Sequence, residues 1–239
     1  MKYYISLLLF TFLGGSFSAQ AVDIVKELKE LNQHYFELEE LQLNFEIEYI
    51  DRSGFSLAKR SGEVVHTKEV HFVDLNGNIT LINKDEYVSI NNEFSTIIYS
   101  DWNGNSAPAS QMDEMTVMID SLWENRGEID FEVLSATKNQ VRVLINDNSD
   151  PNINGYEMLV DINKNKLLEF KYYLRNLNSD EPVDHVIVRY TNETSKVKLK
   201  DPKFKVSNYV KRKGKELEPT TLFAGYEIIS QNQNIEEHE

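Results

Sequence analysis

The sequence predicts an α+β protein, mainly β, in which two amphipathic helices cover one side of a long, curved antiparallel sheet. Apolar residues recur in steps of three and four over residues 23–40, the period of a helix. From residue 41 onward, apolar and polar residues alternate, the period of a half-buried strand. The order helix, strands, helix, strands, with short polar turns, favours antiparallel hairpins over parallel βαβ units.

The first helix and the first strand meet at a sharp change of period between Glu40 and Leu41. The predicted helix covers residues 23–40 and the predicted strand covers residues 41–49. Along this strand, one set of side chains is expected to lie in the core: Leu43, Phe45 and Ile47. The alternate set is expected to face water: Asn44, Glu46 and Glu48.

A first group of strands follows a predicted loop at residues 52–61. Residues 63–74 are predicted as one long strand, and Asn76-Gly77 as the two-residue turn of a hairpin, because both positions favour positive φ. Three short strands are predicted after this turn: 79–82, 87–90 and 94–99.

A second helix is predicted at residues 108–125, with Pro108 in its first turn. Its apolar stripe contains Met112, Met115, Ile119 and Leu122, widened by Trp123. Methionine is common on surfaces that accept varied apolar shapes. The stripe therefore either packs directly on the sheet or lines a cavity between helix and sheet, and both interpretations remain open.

A second group of strands is predicted after this helix: 129–136, 140–146, 156–162, 166–175 and 183–191. Residues 196–215 are expected to form a basic, loop-like stretch in which 211–213 is a solvated turn. A last apolar strand is predicted at residues 225–230.

The first residues have the three parts of a secretory signal peptide. Lys2 is followed by an apolar run at residues 5–13 and by the small residues Ala19 and Ala21. We expect cleavage after Ala21 and export to the periplasm. The predicted organisation is a signal peptide (1–21), a single domain (22–230) and a disordered acidic tail (231–239).

Composition narrows the classes of partner. The formal net charge is −14, and it becomes −15 when the signal carries Lys2 away. Nucleic acids and anionic lipid surfaces require a basic footprint, so neither is an expected partner. The chain has no cysteine, which excludes an acylated lipoprotein and a cysteine nucleophile. Beyond the signal, no apolar run approaches the length of a membrane-spanning helix.

Catalytic and metal-binding signals are weak, so we expect a protein that is not an enzyme and needs no cofactor or metal. Neither a glycine-rich phosphate loop nor a G-x-S-x-G motif is present. His66 and His71 would point to opposite faces of one unbroken strand. The triplet Asp74, Asn76, Asn78 resembles the start of a calcium loop, but a hairpin tip explains it with fewer assumptions.

The arrangement resembles the periplasmic outer-membrane lipoprotein carrier (LolA-like) family across nearly the whole mature chain. The first helix leads into Leu43-Asn44-Phe45-Glu46, and residues 81–90 are similar to a hairpin of that family. Residues 159–170 resemble its late hairpin, and 204–209 with 225–229 resemble the tail of outlying members. The strand at 66–74 contains no arginine, and Arg60 lies just before it.

The resemblance implies an unclosed β-barrel of about 10–11 strands with helices packed on its concave face. It also implies a non-catalytic transport role in the cell envelope, with lipid or lipoprotein acyl chains and envelope proteins as partners. The candidate ligand-binding residues are Phe45, Ile47, Tyr49, Met112, Met115, Ile119, Leu122 and Trp123. The alternative is a structural or adaptor module of the envelope whose interior is filled by side chains.

Overall fold

The computed structural model describes residues 24–101, 129–147, 153–175, 183–214 and 216–230. These residues form the helix α1 (Ile24–Glu37) and strands that alternate with short turns. The strands are β1 (Leu41–Asp51), β2 (Ser56–His66), β3 (Val70–Leu75), β4 (Asn78–Asn83), β5 (Glu86–Asn91), β6 (Thr96–Asp101), β7 (Ile129–Ala136), β8 (Gln140–Asp147), β9 (Ile153–Asp161), β10 (Lys166–Leu174), β11 (Val183–Thr194), β12 (Val210–Lys213), β13 (Glu216–Pro219) and β14 (Glu227–Ser230). Three short 3₁₀ helices lie at Pro202–Phe204, Val206–Asn208 and Thr221–Phe223.

Twelve strands form one sheet in the order β14-β6-β5-β4-β3-β2-β1-β11-β10-β9-β8-β7, and β12 and β13 form a separate hairpin. The large sheet is strongly curved and is not closed into a barrel. The predicted curved sheet is therefore confirmed, with twelve strands instead of 10 or 11. One strand pair differs from the predicted antiparallel arrangement: β14 runs parallel to β6.

The centre of the sheet joins the two groups of strands. There β1 pairs with β11, so that Phe45 lies opposite Tyr190 and Ile47 lies opposite Val188. Outward from this pair, sequence neighbours form successive hairpins. The predicted Asn76-Gly77 turn between β3 and β4 is confirmed, with φ of 52° and 84°.

The predicted loop at 52–61 is correct only for residues 52–55, and the predicted single strand at 63–74 is interrupted at residues 67–69. Residues 56–66 form β2, and a tight turn at Thr67–Glu69 separates it from β3. The Thr67 hydroxyl accepts hydrogen bonds from the backbone N–H groups of Glu69 and Val70. A side chain that satisfies turn donors in this way replaces the glycine or proline that usually marks a turn.

The beginning of β2 was not predicted because its surroundings do not require apolar and polar residues to alternate. Residues 56–61 pair with β1 on one side, whereas β3 pairs only with residues 62–66. Both faces of residues 56–61 are exposed. A strand without a buried face leaves no apolar period in the sequence.

The first hydrophobic cluster lies on one face of the sheet, which we call the helix-side face because α1 packs there. Leu28, Leu31 and Tyr35 of α1 are buried against β1, β2 and β8–β10. The buried strand residues of this cluster are Leu41, Leu43, Phe45, Val64, Val141, Val143, Ile145, Tyr156, Met158, Val160, Leu167 and Phe170. Leu43 and Phe45 are thus core residues, as predicted.

The second hydrophobic cluster lies on the opposite face, over β2–β6. The chain after β11 crosses these strands and buries Phe204, Val206, Tyr209 and Val210 against them. The predicted loop-like stretch at 196–215 is therefore only partly correct. It contains two 3₁₀ helices and β12, and Arg212 of the predicted solvated turn donates hydrogen bonds to Tyr99 and Asp101.

Three predicted segments lie outside the described residues: the signal peptide, the helix at 108–125 and the tail at 231–239. Of the two predicted helices, α1 is the one that the structure describes. In the ranges described above, no helix combines the length and the hydropathy that a membrane span needs.

Candidate functional site

The helix-side face carries continuous apolar rows across the middle of the sheet. One row crosses from β1 to β8 through residues paired in register: Ile47, Val188, Phe170, Met158 and Val143. The next row runs parallel to it: Tyr49, Val186, Tyr172, Tyr156 and Ile145. Five neighbouring strands thus present one apolar surface on this face.

Burial decreases toward β1 along the first row, and in the second row Tyr172 and Tyr49 are less buried than Ile145. Val143 and Ile145 on β8 are fully buried, whereas several apolar side chains nearer β1 remain half-buried. This partly accessible group, which we call the aromatic patch, consists of Ile47, Tyr49, Tyr172, Val188 and Tyr190. The patch offers apolar surface that α1 does not cover completely.

The tyrosines of the aromatic patch lie in an apolar environment. Desolvation raises the pKa of Tyr172, and the nearby Tyr49 adds to this effect. Desolvation also raises the pKa of Tyr190. Their hydroxyl groups therefore stay neutral at all physiological pH values, which suits contact with apolar groups rather than acid–base chemistry.

A cation stands at the margin of the aromatic patch. Arg60 on β2 lies opposite Ile47, and its guanidinium carbon is 5.8 Å from the centre of the Tyr49 ring. A cation over an aromatic face is attracted by the ring quadrupole. Arg60 itself is exposed, so its charge remains available beside the apolar surface.

Tyr35 fixes α1 to the sheet beside this surface. Its hydroxyl donates to Glu193 (2.8 Å) and accepts from the backbone N–H of Leu167 (3.2 Å). Burial, followed by the negative charge of Glu193, raises the pKa of Tyr35. The hydroxyl consequently remains a donor, and it holds the C-terminal half of the helix over β10 and β11.

The structure brings together three of the predicted ligand-binding residues: Phe45, Ile47 and Tyr49 lie along one face of β1. Phe45 is the most enclosed, because its ring packs over Gly62 on β2, where an added Cβ would approach the ring to 2.5 Å. The other predicted residues lie outside the described part of the chain: Met112, Met115, Ile119, Leu122 and Trp123.

The opposite face of the same strands carries a network of ion pairs. Glu48 on β1 binds Arg189 on β11 (2.7 Å) and Lys59 on β2 (3.1 Å). Arg189 also binds Glu169 on β10 at 3.1 Å, and Glu169 binds Arg142 on β8 at 3.0 Å. Alternating charges therefore connect strands from both halves of the chain.

The prediction that Glu48 faces water is wrong. Glu48 as a whole residue is 8% exposed. The side chain of Glu46, two positions away, is 43% exposed. The hydrogen bond from Arg189 is the main reason that the pKa of Glu48 is lowered to about 2, with Lys59 adding to the shift against the effect of burial. The carboxylate is charged whenever the protein is folded near neutral pH.

The network continues at Glu157 on β9. This carboxylate accepts from Arg142 and from the Tyr173 hydroxyl (2.8 Å), and Lys171 lies 3.5 Å away. Burial opposes ionisation of Glu157, but these partners outweigh it and lower its pKa overall. Every charge in this cluster has an opposite partner, so the network has the character of a structural element rather than of a catalytic site.

A polar cavity of about 760 Å³ opens on the same face as the ion pairs. Its lining includes Asn44, Glu46, Glu63, Asp74 and Arg189. Transfer of these groups out of water against an acyl chain would be costly. This cavity therefore suits an apolar ligand less well than the aromatic patch does.

The two strand histidines lie side by side, contrary to the prediction. The turn at 67–69 places His66 on β2 directly opposite His71 on β3, with ring centres 5.9 Å apart. Within the described ranges, however, no group of three or more potential ligands is placed to hold a metal ion.

The oxygen atoms of the calcium-like triplet are engaged by the hairpin itself. The Asp74 carboxylate accepts from the backbone N–H of Gly77 (2.7 Å), and the Asn76 side chain accepts from that of Ser61 (3.0 Å). Asn78 likewise accepts from the backbone N–H of Asn92 at 2.8 Å. These hydrogen bonds to backbone N–H groups at the turns explain why Asp and Asn occur at the three positions.

No protein-family model and no curated protein matches the sequence of this chain. Its fold is similar to that of several solved structures. A conserved protein from Thermus thermophilus shares 10% identity at a TM-score of 0.41, over 87% of this chain and 99% of that one. LprF from Mycobacterium bovis shares 9% identity at a TM-score of 0.39, over 74% and 95% of the two chains.

A LolA superfamily protein from Nitrosomonas europaea is also similar, with 13% identity and a TM-score of 0.29 over 71% of this chain and 91% of that one. The LolA-like family that the sequence resembles is thus represented among the structures to which this chain is similar.

Proposed function

We propose that this protein is a non-catalytic periplasmic carrier or binder of lipid or lipoprotein acyl chains, and that the aromatic patch is part of its binding surface. The observation that carries the proposal is the incomplete burial of Ile47, Tyr49, Tyr172 and Val188 beside a fully packed core. Covering apolar surface of this kind is favourable by about 25 cal/mol per Å².

The chemistry of the patch suits an amphiphile better than a reactive substrate. The hydroxyl groups of Tyr172 and Tyr190 are neutral, and Arg60 places a positive charge at the margin of the patch. An acyl chain would cover the apolar side chains while an acidic headgroup approached Arg60. The choice of acyl chains as the ligand class rests on the resemblance of the sequence to LolA-like carriers.

A direct test is lipid extraction and mass spectrometry of the purified mature protein. Co-purified acyl species support a carrier. A titration with a fatty acid or a lipopeptide should then shift tryptophan emission, because Trp123 belongs to the apolar stripe predicted at residues 108–125. Trp102 precedes that helix, so the shift should vanish in Trp123→Phe but persist in Trp102→Phe. Binding should also raise the unfolding temperature, because a ligand that binds only the folded state stabilises it by mass action.

The position of the site is tested by a matched pair of variants. Ile47→Glu places a charge in the aromatic patch and should abolish binding. Thr191→Glu adds the same charge at an exposed position on the opposite face of β11 and should leave binding unchanged. Tyr49→Ser, a milder change, should weaken binding even if Ile47→Glu does not fold.

The second candidate function is a structural or adaptor module of the envelope. The observation in its favour is the density of the core, where Val143, Ile145, Met158 and Val160 are at most 1% exposed. No co-purified lipid, no emission change and no thermal stabilisation would together favour this alternative and contradict the carrier.

A further inference from the structure

A pocket lined by lysines lies at the end of β11, on the face of the sheet away from α1. Its volume is about 590 Å³, and its lining consists of Gln42, Thr194, Lys196, Lys198, Lys200, Asp201, Lys203 and Phe204. Four lysines around one cavity are unexpected in a chain whose formal net charge is −14.

Exposed lysines alternate with half-buried apolar residues over residues 196–200, beside this pocket. Val197 and Leu199 are half-buried against the second hydrophobic cluster. Lys196, Lys198 and Lys200 are exposed and line the pocket.

Most of the positive charge in the pocket lacks a protein counter-charge. Lys203 binds Glu63 at 2.5 Å. The Asp201 carboxylate is engaged as a cap, accepting from the backbone N–H of Lys203 at 3.0 Å. Lys196, Lys198 and Lys200 form no ion pair with any residue in the described ranges, whereas Lys59, Lys166, Lys171 and Lys213 are each paired with a glutamate.

Three neighbouring ammonium groups repel one another, and a cleft lined by one sign of charge concentrates counter-ions of the other sign. Lysine binds phosphate as a point charge, and the pocket adds neutral hydrogen-bonding groups from Gln42 and Thr194. The volume exceeds what a single phosphate ion fills, which leaves room for the molecule that carries the phosphate.

From this geometry we propose that the lysine pocket binds a phosphate-type anion, supplied either by a phospholipid headgroup or by a soluble phosphate compound. The proposal is independent of the aromatic patch, because the pocket lies on the opposite face of the sheet. An extended anionic membrane surface is a different ligand, and the net charge of the whole protein disfavours it.

The test is calorimetric titration of the full mature chain with two phosphate probes. One probe is inorganic pyrophosphate and the other is dihexanoyl-phosphatidylglycerol below its micelle concentration. Dihexanoyl-phosphatidylcholine serves as a lipid control, because its choline cation offsets the phosphate charge. Binding of pyrophosphate would show that a soluble phosphate compound is sufficient as the ligand. Binding of phosphatidylglycerol but not of pyrophosphate would identify the phospholipid headgroup as the source of the phosphate.

A matched pair of triple variants assigns the binding to the pocket. The combination Lys196→Gln, Lys198→Gln, Lys200→Gln should weaken binding of the effective probe at least tenfold. The combination Lys84→Gln, Lys138→Gln, Lys211→Gln removes the same charge from exposed positions elsewhere and should leave the affinity unchanged. Thermal unfolding of both variants checks that each remains folded.

Three results would overturn the proposal: neither probe binds the wild-type chain, the pocket variant binds as tightly as the wild type, or both triple variants lose affinity equally. Equal binding of phosphatidylcholine and phosphatidylglycerol, unaffected by the pocket variant, would also overturn it, because acyl tails would then carry the interaction. The aromatic-patch variants separate this outcome from failure of the proposed carrier function.

Discussion

At the scale of single residues, Glu46 and Glu48 show how much position decides the behaviour of one residue type. Both are on the same face of β1 and both approach Lys59 and Arg189. Of the two, only Glu48 is buried. A buried carboxylate that loses its charge leaves its cationic partners unsatisfied, whereas an exposed one is replaced by water.

Replacement of Glu48 by glutamine should therefore lower the free energy of unfolding by about 2 kcal/mol at pH 7, the scale of hydrogen bonds to charged groups. Glu46→Gln should change it by no more than about 0.5 kcal/mol, as is usual for exposed positions. Urea denaturation of the two variants provides the comparison. Equal effects would show that burial of Glu48 does not determine its contribution.

The pH dependence of stability should carry the signature of Glu48. Its folded-state pKa of about 2 lies below the value of roughly 4.3 for an unfolded glutamate. A lowered folded-state pKa stabilises the protein above the unfolded pKa, and the contribution disappears as the pH falls from about 4.3 to about 2. The stability difference between wild type and Glu48→Gln should shrink over this range. A constant difference down to pH 2 would contradict the assignment.

At the scale of elements, α1 depends on the hydrogen bonds of Tyr35 as well as on its apolar stripe. Tyr35→Phe removes the acceptor of the Leu167 N–H and the donor to Glu193. An unsatisfied buried group costs about 1–3 kcal/mol, so the variant should be destabilised by that amount in chemical denaturation.

Tyr190→Phe is the matched control for this change. It removes a hydroxyl from the same region, where desolvation raises the pKa of the group. Tyr190 forms no hydroxyl hydrogen bond with the described residues, so its loss should change stability by less than about 0.5 kcal/mol. A similar cost for both variants would mean that the Tyr35 contacts contribute little.

The sequence predicted those elements whose signals are local. Asn76-Gly77 specifies its turn by its own φ preferences, and Leu41–Tyr49 specifies its strand by alternation. The start of β2 could not be predicted, since Lys59 and Arg60 lie in a strand without a buried face. Each of these outcomes depends on whether the segment carries a local signal in its own sequence.

The non-local features of the site could not be predicted for the same reason. The burial of Glu48 depends on Arg189, which is 141 positions away. The parallel pairing of β14 with β6 depends on a choice among strand edges that alternation alone does not encode. The lysine pocket could have been noticed from Lys196-Val197-Lys198-Leu199-Lys200, whose apolar residues alternate with cations, but its lining also includes the distant Gln42.

At the scale of the whole molecule, the proposed compartment makes a simple prediction. Ala19 and Ala21 provide the small residues of a signal-peptide cleavage site. Intact-mass analysis of protein recovered after export should show Val22 at the N-terminus. A mature chain that retains Met1 would contradict both export by this route and the proposed periplasmic role.

The placement of the two hydrophobic clusters also has a consequence for biosynthesis. The strands that end by residue 101 have an apolar face that stays uncovered until residues 204–210 and 228 have been synthesised. The central β1–β11 pair likewise cannot form before residue 190 has been synthesised. At a synthesis rate of about 5–20 residues per second, the delay is on the order of ten seconds. We expect the nascent chain to remain incompletely folded during this delay. Under the export proposed above, this late closure would favour translocation of the chain before it folds.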